Sequence, residues 1–292
     1  MRQTHLRTLL LLTLVLCACD ARRPHAYITP GVRFNVPAAR MGTPLEVTYV
    51  FHTGSDFTGF KKDLIVFVHF LDSRGVIRFV DDHTPPILTN QWSPGREYSY
   101  TRTVFIPDNI PAGEYVVELG MYTPSGKGER FALNAKRLSE RSYDVGHVSI
   151  QPAGSEGEFV RGWYDVEREP GNPWEHWRWT SGSAVLRAAN PRVDSILYLR
   201  AGTDRSRLRE AQNVSIYVED REVDRFAMES SEPVVRKIAL SAASLGSAPA
   251  LDLRLEIDRT FTPGGKDPRD LGIRVYSFYL GREKESPGSA AG

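Results

Sequence analysis

The chain has 292 residues, 41% of them hydrophobic and 25% charged, with a formal net charge of +1. That length leaves room for two domains at roughly 100–200 residues each. The near-neutral balance excludes the dominant basic field that nucleic-acid binding requires, and it argues against a polybasic membrane-surface protein. The only cysteines are Cys17 and Cys19, so the body of the chain has no disulfide framework, no cysteine metal site and no thiol nucleophile.

The N-terminus opens with Arg2 and Arg7, followed by an apolar stretch from Leu9 to Leu16 broken only by Thr13. It is far shorter than the ~20 residues needed to span a bilayer and reads as the core of an export signal. Leu16-Cys17-Ala18-Cys19 resembles the lipobox of bacterial lipoproteins. Cys17 fits that pattern worse, because Leu16 stands where a small side chain is wanted. The resemblance implies a signal peptide over residues 1–18 and diacylglyceryl attachment at Cys19, with N-acylation in many bacteria. Two or three acyl chains anchor stably where one is marginal. An ordinary secretory signal and an uncleaved anchor are the alternatives. Without Arg2 and Arg7, 35 basic residues face 36 acidic ones.

Residues 19–30 are polar and aperiodic and read as a tether. Alternating short strands follow: 44–51, 64–71, a hairpin turn at Asp72-Ser-Arg-Gly75, then 76–80, 98–106, 114–122, 131–133 and 145–150. Regular turn signals between short alternating strands predict an antiparallel sandwich over residues 31–152. Residues 153–157 read as a linker. A second all-β domain is expected over 158–281, with strands at 159–167, 183–187, 195–201, 213–218, 223–227, 234–240, 251–257 and 272–280, and one helical turn at Ser241–Leu245. Residues 282–292 are rich in Ser, Gly and Ala and read as a disordered tail.

The run Val66-Phe-Val-His-Phe-Leu-Asp72, Asp81-Asp-His-Thr-Pro-Pro86, Trp92-Ser-Pro-Gly95 and Glu118-Leu-Gly-Met-Tyr122 resembles immunoglobulin-like modules of bacterial envelope and glycan-assembly proteins. Gly162-Trp-Tyr-Asp-Val-Glu167, Trp177-Arg-Trp-Thr180 and Asp267-Pro-Arg-Asp-Leu-Gly-Ile273 resemble the jelly-roll domains that accompany bacterial carbohydrate-active proteins. These likenesses imply two tandem β-sandwiches and, at most, non-catalytic glycan association.

The candidate ligand residues are Trp163, Tyr164, Glu167, Trp174, Trp177, Arg178 and Trp179. Flat aromatic faces stack on sugar rings, while Arg and Glu offer bidentate hydrogen bonds to hydroxyls or carboxylates. Strand alternation puts Trp177 and Trp179 on one face and Arg178 on the other, so the two indoles can equally fill a core. Trp174, in a Gly-Asn-Pro-Trp loop, is expected to be the most exposed. Asp267 and Asp270 are weak Ca²⁺ candidates; the stronger reading has one of them capping its turn and pairing with Arg269 or Arg178. Otherwise no cofactor is indicated. Asp81, Asp82 and His83, with His69 and Asp72, are the one concentration of His and carboxylate, but no zinc spacing accompanies it. No GxSxG elbow, P-loop or dinucleotide fingerprint is present.

Together these features predict an exported, lipid-anchored, non-catalytic binding or scaffolding protein of the cell envelope, with a glycan or an envelope protein as partner and no nucleic acid. A structural assembly protein that binds through sheet edges and a glycan hydrolase using paired carboxylates are the alternatives.

Overall fold

The computed structural model describes residues 26–125, 128–154 and 157–282. Cys19, the segment read as a signal peptide and residues 283–292 lie outside them. Among the described residues, nine strands build the first unit: β1 (Ile28–Phe34), β2 (Ala38–Arg40), β3 (Pro44–Thr53), β4 (Ile65–Leu71), β5 (Ile77–Val80), β6 (Glu97–Phe105), β7 (Gly113–Tyr122), β8 (Lys136–Ser139) and β9 (Ser142–Gln151). One layer runs β1-β3-β6 and the other β2-β9-β7-β4-β5, with β8 beside β9. The described pairs are antiparallel except the short β2–β9 pair, which is parallel.

Period-two alternation makes the core. Leu45, Val47, Tyr49 and Phe51 of β3 face Val66, Val68 and Phe70 of β4 and Tyr115, Val117, Leu119 and Met121 of β7, all almost completely buried. His69 lies on the opposite face of β4, half-buried, with Nδ1 2.9 Å from Glu118 Oε2. Asp72 caps the β4–β5 turn, accepting from the backbone of Arg74 at 2.9 Å and of Val76 at 3.0 Å, and Gly75 supplies the positive φ of 73°.

A polar network ties the two layers together. The Tyr49 hydroxyl donates to Asp81 at 2.9 Å. Arg102 grips the same carboxylate with Nε at 2.8 Å and Nη2 at 2.8 Å. His83 Nδ1 meets the Asp81 carbonyl at 2.6 Å, and its Nε2 meets the Tyr100 hydroxyl at 2.7 Å. A carbonyl only accepts, so the proton sits on Nδ1 and Nε2 accepts from Tyr100.

The second unit has eight strands among the described residues: β10 (Glu158–Glu169), β11 (Asn172–Ala189), β12 (Ser195–Gly202), β13 (Gln212–Val218), β14 (Arg221–Met228), β15 (Val234–Leu240), β16 (Ala250–Ile257) and β17 (Arg274–Arg282), with one helical turn, α1 (Ala242–Leu245). The pairing path is β14-β13-β16-β11-β17-β12-β15, and β10 pairs with β11. The long β11 belongs to two layers: Arg178 and Trp179 pair with β17, while Ser183 to Ala189 pair with β16. The bend between these halves folds one continuous ladder into a sandwich. Leu251, Leu253 and Leu255 of β16 and Leu197, Leu199 and Ala201 of β12 fill it from either side.

Four features depart from the sequence reading. β1 begins at Ile28, inside the segment read as tether. Residues 131–133 form no strand, and the chain turns back as β8 instead. β11 begins at Asn172, well before the strand expected at 183–187, and of its first half the sequence reading holds only the alternation of Trp177-Arg-Trp179, because Trp-Glu-His-Trp-Arg-Trp carries no aliphatic pattern. The β2–β9 pair is parallel where an antiparallel sandwich was expected.

The two units touch through the β10–β11 hairpin, turned by Pro170 and Gly171 (φ 85°). Trp174 packs against the first core. The Arg78 guanidinium lies 5.3 Å from the Trp174 ring centre, and Asp72 orients it at 2.8 Å. His176 Nε2 sits 3.3 Å from Asp108, and Lys237 Nζ 2.7 Å from Glu46.

Burial lowers the His83 pKa below the ordinary histidine value. The unfolded chain therefore takes up this proton more readily than the folded one, and stability is lost as pH falls below the unfolded value of about 6.5. Thermal melts between pH 7.5 and 5 are expected to show a fall of several degrees, and the fall should be smaller in His83→Gln.

Candidate functional site

The functional candidates of the second unit lie where β10, β11 and β17 run side by side and the 258–272 segment folds over them. Gly162 takes φ 77°, and a Cβ there would stand 1.8 Å from the Ser183 carbonyl oxygen. Glycine is thus required for β10 to pass the bend of β11. Register shifts at Phe159/Arg161, Arg161/Trp163 and Trp163/Val166 then distribute the β10 side chains over two faces.

On one face, Trp163 donates its indole N–H to the Val185 carbonyl at 2.8 Å, packs on the second core and meets Phe159 edge-to-face. Arg178 donates to the Tyr164 carbonyl at 3.0 Å, with its guanidinium over Phe159.

The other face carries a continuous row. Trp177 and Trp179 are each only 7% exposed and, with Leu271, form a small core of their own. The Arg274 guanidinium stands 5.6 Å from each indole ring centre. Trp177 meets Tyr276 edge-to-face, and Arg200 lies over Tyr276 at 4.5 Å while donating to Glu175 at 2.9 Å. At the other end Trp179 donates to Glu167 at 3.2 Å. Arg269 binds Glu167 at 2.7 Å and Asp267 at 2.7 Å, with its guanidinium 5.4 Å from the Tyr164 ring centre. The Tyr164 hydroxyl donates to the Asp270 carbonyl at 3.1 Å.

The sequence candidates are therefore divided. Tyr164, Glu167, Trp177 and Trp179 share one face, Trp163 and Arg178 take the other, and Trp174 is drawn into the junction between the units. Trp174, expected to be the most exposed, is half-buried because its hairpin reaches the first core. Trp177 and Trp179 are interior, so their faces meet protein. Asp267 accepts from the Arg269 backbone at 3.1 Å as well as from its side chain, and Arg269 holds the Asp267 carboxyl below the usual carboxylate range. Among the described residues no group of three or more His, Cys, Asp or Glu is arranged to hold a metal ion.

Arg269 pairs with Asp267 as the turn reading expected, whereas sequence reasoning passed over Arg200, Arg274, Tyr276 and Glu175. Their signal is a polar or aromatic residue in an otherwise apolar strand, as in Leu197-Tyr-Leu-Arg200 and Arg274-Val-Tyr276. The row leaves two half-buried ends, Tyr164–Arg269–Glu167 and Tyr276–Arg200–Glu175. Each joins a phenol ring, a guanidinium and a carboxylate at the surface. Elsewhere a groove of about 560 Å³ opens between β14 and β15, lined by Asp194, Arg221, Val223, Ile238 and Leu240 among others.

No family model and no characterised protein matches the sequence. Several solved structures are similar to stretches of the chain. The C-terminal domain of Wzt is 10% identical, with a TM-score of 0.32 over 45% of this chain and 78% of that one. The M60 catalytic domain of Clostridium perfringens ZmpB with its CBM51-1 and CBM51-2 domains is 10% identical, with a TM-score of 0.30 over 89% of this chain, which spans only 32% of that structure. CBM51-2 of ZmpB in complex with GlcNAc, with its INT domains, is 11% identical, with a TM-score of 0.21 over 57% of this chain and 38% of that one. At these TM-scores the likenesses carry no argument about function.

Trp177→Ala is expected to cost about 3–5 kcal/mol of stability in denaturant melts, as a buried indole does. Arg200→Ala, at a partly exposed ion pair, should cost no more than about 1 kcal/mol.

Proposed function

We propose that this chain is an exported lipoprotein, acylated at Cys19, whose second unit is a non-catalytic binding module for a glycan of the cell envelope. The observation that carries the binding role is the pair of half-buried ends of the Trp–Arg row. Each presents an immobilised guanidinium and carboxylate beside a phenol ring, the donors and acceptors that sugar hydroxyls take up. Arg200 and Arg269 already overlie Tyr276 and Tyr164. The ligand would therefore be held mainly by hydrogen bonds, with ring edges adding contact.

The hydrolase alternative is disfavoured on chemical grounds. Glu167 and Asp267, the nearest carboxylates of the cluster, share Arg269. Arg269 is hydrogen-bonded to both, so each carboxylate is already engaged by a guanidinium and the two do not face each other across an open cleft as an acid and its partner must. The edge-pairing alternative is weakened by the four register shifts in β10, since bulges blunt an edge strand.

A glycan array and polysaccharide pull-down on residues 20–292 tests the reading. Binding that weakens about tenfold or more in Arg200→Ala or Glu175→Ala, with thermal stability nearly unchanged, is the expected result. A folded protein that binds no glycan would overturn it and turn attention to protein partners.

A further inference from the structure

Where the chain enters the first sandwich, Tyr27 lines a cavity of about 190 Å³ with Ile28, Phe57, Phe60, Phe131 and Arg141. The rings form a chain, with centres 6.5 Å apart for Tyr27–Phe57, 5.1 Å for Phe57–Phe60 and 5.2 Å for Phe60–Phe131. Tyr27 is 36% exposed, and Leu138, in the adjoining β8, is 41% exposed.

Cations surround this cluster. Lys61 and Lys62 follow Phe60 and are exposed. Arg130 precedes Phe131, lies over Phe67 and donates to the Glu140 carbonyl at 3.3 Å. Arg141 donates to the Arg130 carbonyl, and Arg137 to the Ser139 carbonyl at 2.8 Å. These five spend their hydrogen bonds on carbonyls or on solvent, and none has a carboxylate partner among the described residues. Elsewhere Arg78, Arg102, Arg236 and Arg269 are each locked to a carboxylate. Asp56, Asp63, Glu129 and Glu140 fall in the same stretches, with Asp63 turned to Asn90, so the five cations leave the pole slightly basic. The balance of the whole chain hides this local excess.

Cys19 lies eight residues before Tyr27, a reach of at most about 28 Å even when fully extended. We propose that this pole docks on the surface of an anionic phospholipid bilayer. Lys61, Lys62, Arg130, Arg137 and Arg141 meet the headgroup phosphates, and Tyr27, the exposed end of the ring chain, faces the headgroup level, with the half-buried Phe60 and Phe131 and the buried Phe57 fixing it to the core behind. The inference rests on acylation at Cys19 for its geometry, while the surface chemistry stands on the described residues.

The test is co-sedimentation of residues 20–292, which carry no acyl chain, with vesicles of phosphatidylcholine alone or with phosphatidylglycerol added. Binding should require phosphatidylglycerol and fade with added salt. Each cation at an anionic surface changes partition by about fivefold, so Lys61→Ala with Lys62→Ala should lower it by roughly 25-fold, and Lys266→Ala, in the other unit, should not. Equal binding to both vesicles, or equal loss from Lys266→Ala, would overturn the proposal. Anchoring is read separately by whether Cys19→Ala releases the full chain from the membrane fraction of an expressing bacterium. Release without vesicle preference defeats the docking alone, and vesicle preference without release defeats the anchor alone.

Discussion

Three backbones meet at the bend of β11, and the second unit depends on that approach. Thr180 is completely buried; its N–H donates to Ile273 at 2.9 Å, its carbonyl accepts from Gly272 at 2.7 Å, and its hydroxyl accepts from Ile273 N–H at 3.1 Å. On one side Gly162 passes so close to Ser183 that any side chain would collide. On the other, a Cβ at Gly272 would fall 2.5 Å from the Ser181 carbonyl oxygen. With both contacts made, one strand can serve two layers and the ladder closes over the Leu-rich core. Without either glycine, β10 or the 272 segment would be pushed outward and the candidate site would lose its floor.

The same bend sets the chemistry of the surface. It delivers Trp177 and Trp179 to the side of β11 that faces away from the main core, where they would be two large exposed rings. Arg274, Leu271 and Phe261 cover them. Burying indoles under a guanidinium keeps apolar area from water while leaving the cation a polar outlet, here the Thr203 carbonyl at 3.0 Å. The row then continues outward in pairs of ring and guanidinium until it reaches solvent at both ends, so a rigid interior supports the partly exposed groups.

What could be read in the sequence follows from the period of the pattern. β16, with the strict alternation Leu251-Asp-Leu-Arg-Leu-Glu-Ile257, lies where the alternation put it. The single helical turn after Ser241 was legible from its capping serine, which accepts from Ser244 N–H at 3.2 Å. The site was less legible because its partners are distant in the chain. Nothing in Glu167 alone points to Arg269, about a hundred residues later, and the pairing of Tyr276 with Arg200 needs β17 beside β12. The exposure of Trp174 was misjudged for the same reason: a Gly-Asn-Pro loop signals a turn, and only the position of the first unit determines whether the turn meets water or protein.

The division of labour between rings and guanidinium groups also decides what kind of ligand the surface can serve. A bare tryptophan platform gains most from desolvating an apolar sugar face and is tolerant of hydroxyl stereochemistry. Here the rings are edge-on or capped, and the accessible groups are the guanidinium of Arg200 with the carboxylate of Glu175 and the guanidinium of Arg269 with the carboxylate of Glu167. Such pairs have directional donors and acceptors fixed in advance, so less rotamer entropy is lost when a ligand engages them. They reward a partner whose hydroxyls match their spacing and penalise one that leaves a half-buried charge without its hydrogen bonds. A ligand at either end would therefore be selected by hydroxyl geometry more than by affinity for any flat ring.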